Sequence, residues 1–130
     1  GLMLSAMYSY QRAQFLDASL ADPRLVNAPE HLASLRGVAP LLRDVISLAL
    51  RLTVEAPRRI SEDRDDTTKA ALIADATVSG ALRDYGLRYT VGVYNIADWR
   101  NQVPVAASFA SRTMPQNGRT FLIDVTATYP

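Results

Sequence analysis

Hydrophobic and polar residues alternate one by one along much of this chain, and the alternation continues over long stretches. The segment TFLIDVTATY, residues 120–129, is a clear example. Successive side chains of a β-strand point to opposite faces of a sheet, so this pattern predicts strands. The predicted apolar face of this segment consists of Phe121, Ile123, Val125, Ala127 and Tyr129.

Similar alternation along the chain predicts an antiparallel meander of six strands. Their expected bounds are residues 1–14, 29–36, 43–57, 68–84, 87–97 and 118–129. Residues 43–57 also contain good helix formers. A helix would scatter Ile46, Leu48 and Leu50 around its circumference, whereas a strand places all three on one face. We therefore expect a strand in this segment as well.

Most of these predicted strands exceed the roughly 5–6 residues that are usual in globular proteins. Alternating segments of about 10 residues, separated by turns, are typical of strands that cross a membrane within a β-barrel. The face that would meet hydrocarbon is expected to include Leu48, Leu50, Val78, Val91, Ile123 and Val125. The opposite face carries charges that a wet barrel lumen accommodates at little cost, namely Arg51, Glu55, Asp75, Arg83, Arg88 and Asp124. The predicted fold class is therefore all-β, with a meander forming part of a transmembrane β-barrel.

The predicted connections alternate between short turns and long loops. The short turns are residues 83–88, where Gly86 suits a positive φ, and residues 36–44, where Gly37 and Pro40 act as breakers. The long loops are residues 15–30, 57–69 and 97–118. Outer-membrane barrels have this asymmetry, with the longer loops outside the cell. We therefore expect the loops at 57–69 and 97–118 to be extracellular.

Composition narrows the classes of function. With 130 residues, of which 48% are hydrophobic, the chain has the size of one domain. Its net charge of +1 gives no electrostatic reason to expect a nucleic-acid partner. It contains no cysteine, which excludes disulfides, thiolate metal sites and cysteine nucleophiles. The opening residues lack the pattern of a signal peptide, and no apolar run has the length of a transmembrane helix.

Three motifs follow one another along the chain. In LVNAPEHLASL, an Asn-x-Pro-x-His segment spans Asn27 to His31. A Gly-x-x-Asn-hydrophobic-x-Asp pattern occupies Gly92, Asn95, Ile96 and Asp98. A Gly-Arg-x-hydrophobic start to the last strand occupies Gly118, Arg119, Thr120 and Phe121. In this order they resemble the C-terminal end of a TonB-dependent outer-membrane receptor, where such motifs mark strand re-entry, the penultimate strand and the last strand.

The resemblance implies that residues 1–130 are the C-terminal portion of a receptor barrel. The plug domain and the remaining strands would lie outside this segment, since six strands cannot close a barrel of useful width. Pro130 departs from the family, whose members normally end on an aromatic residue such as Tyr129. The family normally resides in the bacterial outer membrane and imports a ferric siderophore or a similar scarce metal chelate or nutrient.

The implied partners are outer-membrane lipid, the remaining barrel strands, the plug domain, and TonB through that plug. No enzymatic activity and no cofactor are implied. A hydrolase is not indicated either, because the chain has a single His and no nucleophile-elbow motif. The lone His31 is expected to be structural, since no second imidazole or thiolate completes a metal site. The acidic run at residues 61–66 lacks the spacing of a calcium loop and predicts a solvated loop.

Candidate residues for ligand contact lie in the loop that follows Asp98. They are Trp99, Arg100, Asn101 and Gln102. Asn95 and Asp98 are expected to cap the strand end and to organise the loop. The predicted structural motif is completed by Gly92, Gly118, Arg119 and Phe121.

Two other classes of protein remain open at this point. One is a structural or interaction protein whose exposed strand edges assemble with other chains into a barrel. The other is a soluble antiparallel β-sandwich that binds a ligand between its sheets, with its apolar faces packed together. For residues 87–97 and 118–129 we expect an antiparallel hairpin, with Val93 near Phe121 on one sheet face.

Overall fold

The computed structural model describes residues 1–14, 25–43, 45–60, 66–105 and 108–128, and the fold is all-β. The strands are β1 (Met3–Tyr10), β2 (His31–Leu42), β3 (Ile46–Glu55), β4 (Ala71–Leu82), β5 (Leu87–Tyr94), β6 (Gln102–Pro104), β7 (Thr113–Pro115) and β8 (Thr120–Ala127). Helical structure within these ranges is limited to one 3-10 turn, Arg83–Tyr85. None of the described helices is long and apolar enough to cross a membrane.

Six strands form one antiparallel sheet in the order β1-β2-β3-β4-β5-β8. Each strand pairs with the next along the chain, except that the short β6–β7 hairpin is inserted between β5 and β8. This arrangement confirms the predicted antiparallel meander of six long strands. The sheet is open, with β1 and β8 at its two edges.

The second predicted strand is present, but the predicted end of this strand and the link after it are wrong. The sequence predicts a strand over residues 29–36 and a link over 36–44, but β2 continues through both predicted breakers to Leu42. Pro40 opposes Ser47 of β3 immediately before a register shift, and it lies beyond the end of the pairing with β1. A proline is tolerated beside a bulge and outside one neighbouring ladder, because fewer ladder bonds there need its missing N–H.

The predicted turn at residues 83–88 is confirmed, although Arg83 lies in the 3-10 turn rather than on the polar face of a strand. Gly86 ends this turn with φ of 61°, and its carbonyl accepts a hydrogen bond from Thr128 N at 2.9 Å. A Cβ at Gly86 would lie 2.4 Å from the Thr128 carbonyl oxygen. The turn therefore needs glycine for its backbone conformation and for the close approach of β8.

All six residues that were predicted to face hydrocarbon share one face of the sheet. A ladder of directly opposed residues crosses four strands, through Leu48, Val78, Val91 and Ile123. Val93 opposes Phe121, which confirms the predicted pairing of the last two long strands. We call this side the apolar face. The opposite side, the polar face, carries Arg51, Glu55, Asp75, Arg88 and Asp124.

The strand ends are staggered by the same amount at both ends of the sheet. The register allows each strand end to be expressed as the position of β4 that lies in the same row. Near the long loops, the end of β1 is level with the residue before Ala71, whereas the end of β8 is level with Asp75. Near the short turns, the end of β1 is level with Thr77, whereas the end of β8 is level with Leu82. A shift of about five residues over five inter-strand steps, at about 3.3 Å per residue and about 4.8 Å per step, corresponds to a strand tilt of about 35°.

Burial in this sheet is inverted relative to that of a globular protein. In the described part of the chain, Ala71 is the one hydrophobic residue that is buried, whereas the buried polar residues are Arg59, Asp75 and Asn95. Large side chains of the apolar face are exposed instead, with Phe121 at 70% and Ile123 at 75% exposure. No second layer among the described elements covers this face.

Candidate functional site

The predicted motif residues that follow β5 form one hydrogen-bonded cluster at the long-loop end of the sheet. Asn95 is buried and has a left-handed backbone, with φ of 53°. Its Oδ1 accepts a hydrogen bond from Trp99 N at 2.8 Å. Its Nδ2 donates to the carbonyls of Trp99 at 3.0 Å and Asn117 at 3.4 Å. Because asparagine tolerates this backbone conformation and bonds locally, one residue both turns the chain and joins the two ends of the loop.

Asp98 makes the second connection between the two ends of this loop. Its backbone is also left-handed, with φ of 52°, and its N–H donates to the Asn95 carbonyl at 2.8 Å. The Oδ1 of Asp98 accepts a hydrogen bond from Arg119 N at 2.8 Å. A Cβ at Gly118 would lie 2.6 Å from that same oxygen. Glycine at this position therefore allows the carboxylate to reach the backbone just before β8 begins.

Asp75 anchors the cluster to the sheet, a role that the sequence did not reveal. Its Oδ1 accepts a hydrogen bond from Asn95 N at 2.9 Å. Its Oδ2 accepts from Nε and Nη2 of Arg51, at 2.8 and 2.6 Å, on the neighbouring strand. Asp75 is only 6% exposed, so these three donors compensate a carboxylate that would otherwise be costly to bury. Arg51 and Asp75 are directly opposed in the strand register, and this register could not be predicted from the sequence.

The other predicted motif residues lie on opposite faces of the sheet. Gly92 is buried on the polar face, where a Cβ would lie 3.0 Å from the ring of Tyr94. Tyr94 thus lies over the space that this glycine leaves open. Phe121 belongs to the apolar face, so it does not join the hydrogen-bonded cluster.

The four candidates for ligand contact form the link from the cluster to the β6–β7 hairpin. Trp99 is 37% exposed, and Arg100 is exposed as well. Asn101 donates from its N–H to the Trp99 carbonyl at 2.9 Å and accepts at its own carbonyl from Gln116 N at 2.9 Å. The Oε1 of Gln102 accepts from the Thr113 hydroxyl at 3.2 Å. Asn101 and Gln102 therefore organise the loop, while Trp99 and Arg100 present side chains to its surroundings.

His31 begins β2 beside two tyrosines of β1. Its Nδ1 lies 2.8 Å from the Tyr8 hydroxyl, and its ring centroid lies 6.1 Å from that of Tyr8 and 5.1 Å from that of Tyr10. Across the described ranges, no group of three or more His, Cys, Asp or Glu could hold a metal ion. The predicted acidic loop at residues 61–66 lies outside the described residues, apart from Asp66.

A shallow groove on the polar face was not predicted from the sequence. It has a volume of about 440 Å³ and crosses the middle strands of the sheet. We call it the polar-face groove, and its lining residues are Arg36, Ala49, Leu50, Arg51, Asp75, Thr77, Ser79, Thr90 and Tyr94. These residues belong to four different strands that are brought together by the strand register, which explains why no local motif marked them.

Comparison with protein-family models, curated proteins and solved structures finds no match for this chain. Its function must therefore be inferred from physical features of the sheet. Those features are one face that exposes large apolar side chains, an opposite face that carries charge, and a loop cluster fixed to that polar face by Asp75.

Proposed function

We propose that this sheet is a segment of the wall of a transmembrane β-barrel in a bacterial outer membrane, within a receptor of the TonB-dependent kind. The observation that carries the proposal is the apolar face, which extends across all six strands while the charged residues occupy the other face. In water, such a face would require a second packed layer. Hydrocarbon solvates it without one, provided that every backbone group is paired within a closed sheet.

The stagger of the strands supports the same proposal. Strands of outer-membrane barrels are tilted by about 35–45°, and the offset of the strand ends here corresponds to about 35°. At that tilt, the 8 residues of β5 or of β8 rise by about 22 Å along the membrane normal. This height is close to the apolar band of about 25 Å that such barrels present to lipid.

The distribution of aromatic residues also supports a membrane-spanning band. Tyr8, Tyr10 and Phe121 lie at the long-loop end of the sheet, and Tyr85 and Tyr89 lie at the short-turn end. Aromatic side chains concentrate at the two membrane–water interfaces of such barrels, where they form girdles around an aliphatic band. On the apolar face, that band contains Leu48, Leu50, Ala76, Val78, Val91 and Ile123.

In this proposal the segment supplies wall and extracellular loops for the import of a ferric siderophore or a similar scarce nutrient. The loops at the long-loop end contact one another, as the Nη1 of Arg58 donates to Oδ1 of Asn27 at 2.8 Å. The Nη1 of Arg112 lies 4.0 Å from Oδ2 of Asp66, so the last long loop reaches the one before it. The moving plug and its contact with TonB would belong to other parts of the receptor.

Membrane fractionation tests this proposal. Expressed in a bacterial host, the protein should remain with the membranes through an alkaline carbonate wash and should be released by detergent. Val78 and Ser79 are neighbours on opposite faces of β4 and provide matched variants. Val78→Arg should cost about 2–4 kcal/mol and deplete the membrane fraction, while Ser79→Arg should leave it unchanged. Recovery of the folded wild-type protein without detergent would instead indicate a sandwich that covers its own apolar face.

A further inference from the structure

An Asn-Gly pair, Asn117 and Gly118, lies where the last long loop joins β8. Asn117 is exposed and lies between β7 and β8, outside any strand. Its backbone carbonyl accepts the 3.4 Å hydrogen bond from Asn95 Nδ2. Across the described ranges, no hydrogen bond involves the side-chain amide of Asn117 or the N–H of Gly118. Both groups are therefore free to react with each other.

An asparagine that precedes a glycine can react with the backbone of that glycine. The glycine nitrogen attacks the asparagine Cγ, a five-membered succinimide ring closes, and the Cγ–Nδ2 bond breaks with release of ammonia. Water then opens the ring at either of its carbonyls and leaves aspartate or isoaspartate. Glycine favours the attack because it has no Cβ to obstruct it. Base accelerates the reaction by removing the proton of the attacking N–H.

Two other asparagines of the same region are protected from this reaction by the fold. Asn95 is buried, and the N–H that follows it, that of Ile96, donates to the Ala74 carbonyl at 2.8 Å. The branched side chain of Ile96 also hinders attack. Asn101 is half-buried and precedes Gln102, whose side chain obstructs the same path. They provide internal controls within the same protein.

We propose that Asn117 is a site of spontaneous deamidation and that isoaspartate at this position detaches the last long loop from β8. Hydrogen bonds fix the backbone on both sides of Asn117. Before it, Gln116 N donates to the Asn101 carbonyl at 2.9 Å, and after it, Arg119 N donates to Oδ1 of Asp98 at 2.8 Å. Isoaspartate adds one carbon to the backbone between these two bonds, so both cannot keep their geometry. The inference does not depend on the proposed membrane function.

Ageing of the protein in mildly alkaline buffer, purified in detergent in the form that the cell makes, tests the reaction. Peptide mapping by mass spectrometry should detect exchange of the Asn117 amide for a carboxyl group, while Asn95 and Asn101 remain intact. Methylation by a protein isoaspartate methyltransferase should label the aged protein. Asn117→Gln should abolish this labelling, because glutamine would have to close a six-membered ring. If folded Asn117 stays intact while a synthetic peptide of residues 112–122 reacts, the fold protects this site and the inference is wrong.

Limited trypsin cleavage after Arg112, which is exposed, measures detachment of the loop. Aged wild-type protein in which Asn117 has become isoaspartate should be cleaved about fivefold faster than fresh protein, the effect of one lost hydrogen bond on local opening. Asn117→Gln should be cleaved at the same rate before and after ageing. This variant keeps the native contact with Asn95, because that contact is made by the backbone carbonyl. Unchanged cleavage of wild-type protein that contains isoaspartate would overturn the proposed detachment.

Discussion

Asn95 illustrates how one residue can serve a backbone and a side-chain requirement together. Its left-handed φ favours glycine or asparagine, and its buried amide makes three hydrogen bonds across the loop. A glycine would meet the first requirement but not the second, and an alanine would meet neither. The two substitutions therefore separate the contributions of conformation and of hydrogen bonding.

We predict that Asn95→Gly destabilises the protein by about 2 kcal/mol, the loss of a few hydrogen bonds. Asn95→Ala should cost about 1 kcal/mol more, because it adds the strain of a left-handed β-carbon. Urea unfolding in detergent micelles measures both values. If the alanine variant is as stable as the glycine variant, backbone strain at this position is not a factor.

At the level of residues, the sequence predicted features that depend on strand periodicity better than it predicted pairings between strands. The alternation through Val78 and Val91 predicted a shared face because that property depends only on strand periodicity. The ion pair between Arg51 and Asp75 depends on register, which is set by turns and neighbouring strands. The polar-face groove escaped prediction for the same reason.

Among the elements, β2 shows where local signals mislead. Pro40 reads as a breaker, yet it is accommodated beside a bulge beyond the end of β1 pairing. The β6–β7 hairpin was missed because each of its strands has only three residues, too few for an alternation to be recognised. Long strands were predictable because many residues contribute to the same periodic signal.

The junction between the β2–β3 turn and β4 depends on a glycine opposite a tyrosine. Tyr89 opposes Gly80 and donates its hydroxyl to the Val45 carbonyl at 2.6 Å. A Cβ at Gly80 would lie 1.7 Å from that carbonyl oxygen, so the backbone would have to move. The Tyr89 hydroxyl thus holds the Val45 carbonyl in place, and the absence of a side chain at Gly80 leaves room for that carbonyl.

We predict that Tyr89→Phe costs about 0.5–1.5 kcal/mol, the value of one hydrogen bond. Gly80→Ala should cost more, about 1–3 kcal/mol, because it overpacks the junction. Unfolding midpoints of the two variants provide the measurement. If Gly80→Ala leaves the unfolding midpoint unchanged, the Val45 carbonyl does not approach β4 closely.

The proposed membrane wall predicts on which side of the membrane each connection lies. Because consecutive strands alternate in direction, the loop at residues 97–118 and the turn at residues 83–88 lie at opposite ends of the sheet, and in the proposed barrel they would lie on opposite sides of the membrane. A protease site inserted after Phe109 should be cleaved in intact cells, whereas one inserted after Asp84 should be cleaved only after the outer membrane is opened. The reverse pattern of cleavage would invert the proposed topology.

For the whole molecule, the decisive question is what covers the apolar face. A second sheet, another copy of the chain and lipid would each remove these side chains from water. The tilt of about 35° and the aromatic residues near both ends of the strands favour lipid, since neither is required by face-to-face packing of two sheets. Contact with acyl chains is therefore the property to measure.

The chain contains no cysteine, so a single introduced cysteine can carry a fluorophore at a chosen position. The most direct measurement attaches an environment-sensitive fluorophore at Val78→Cys or at Ser79→Cys and reconstitutes the protein in bilayers that contain nitroxide-labelled acyl chains. Lipid contact predicts strong quenching at position 78 and weak quenching at position 79, with water-soluble quenchers favouring position 79. Equal quenching at the two positions, or protection of position 78 from lipid quenchers, would contradict the membrane-wall account.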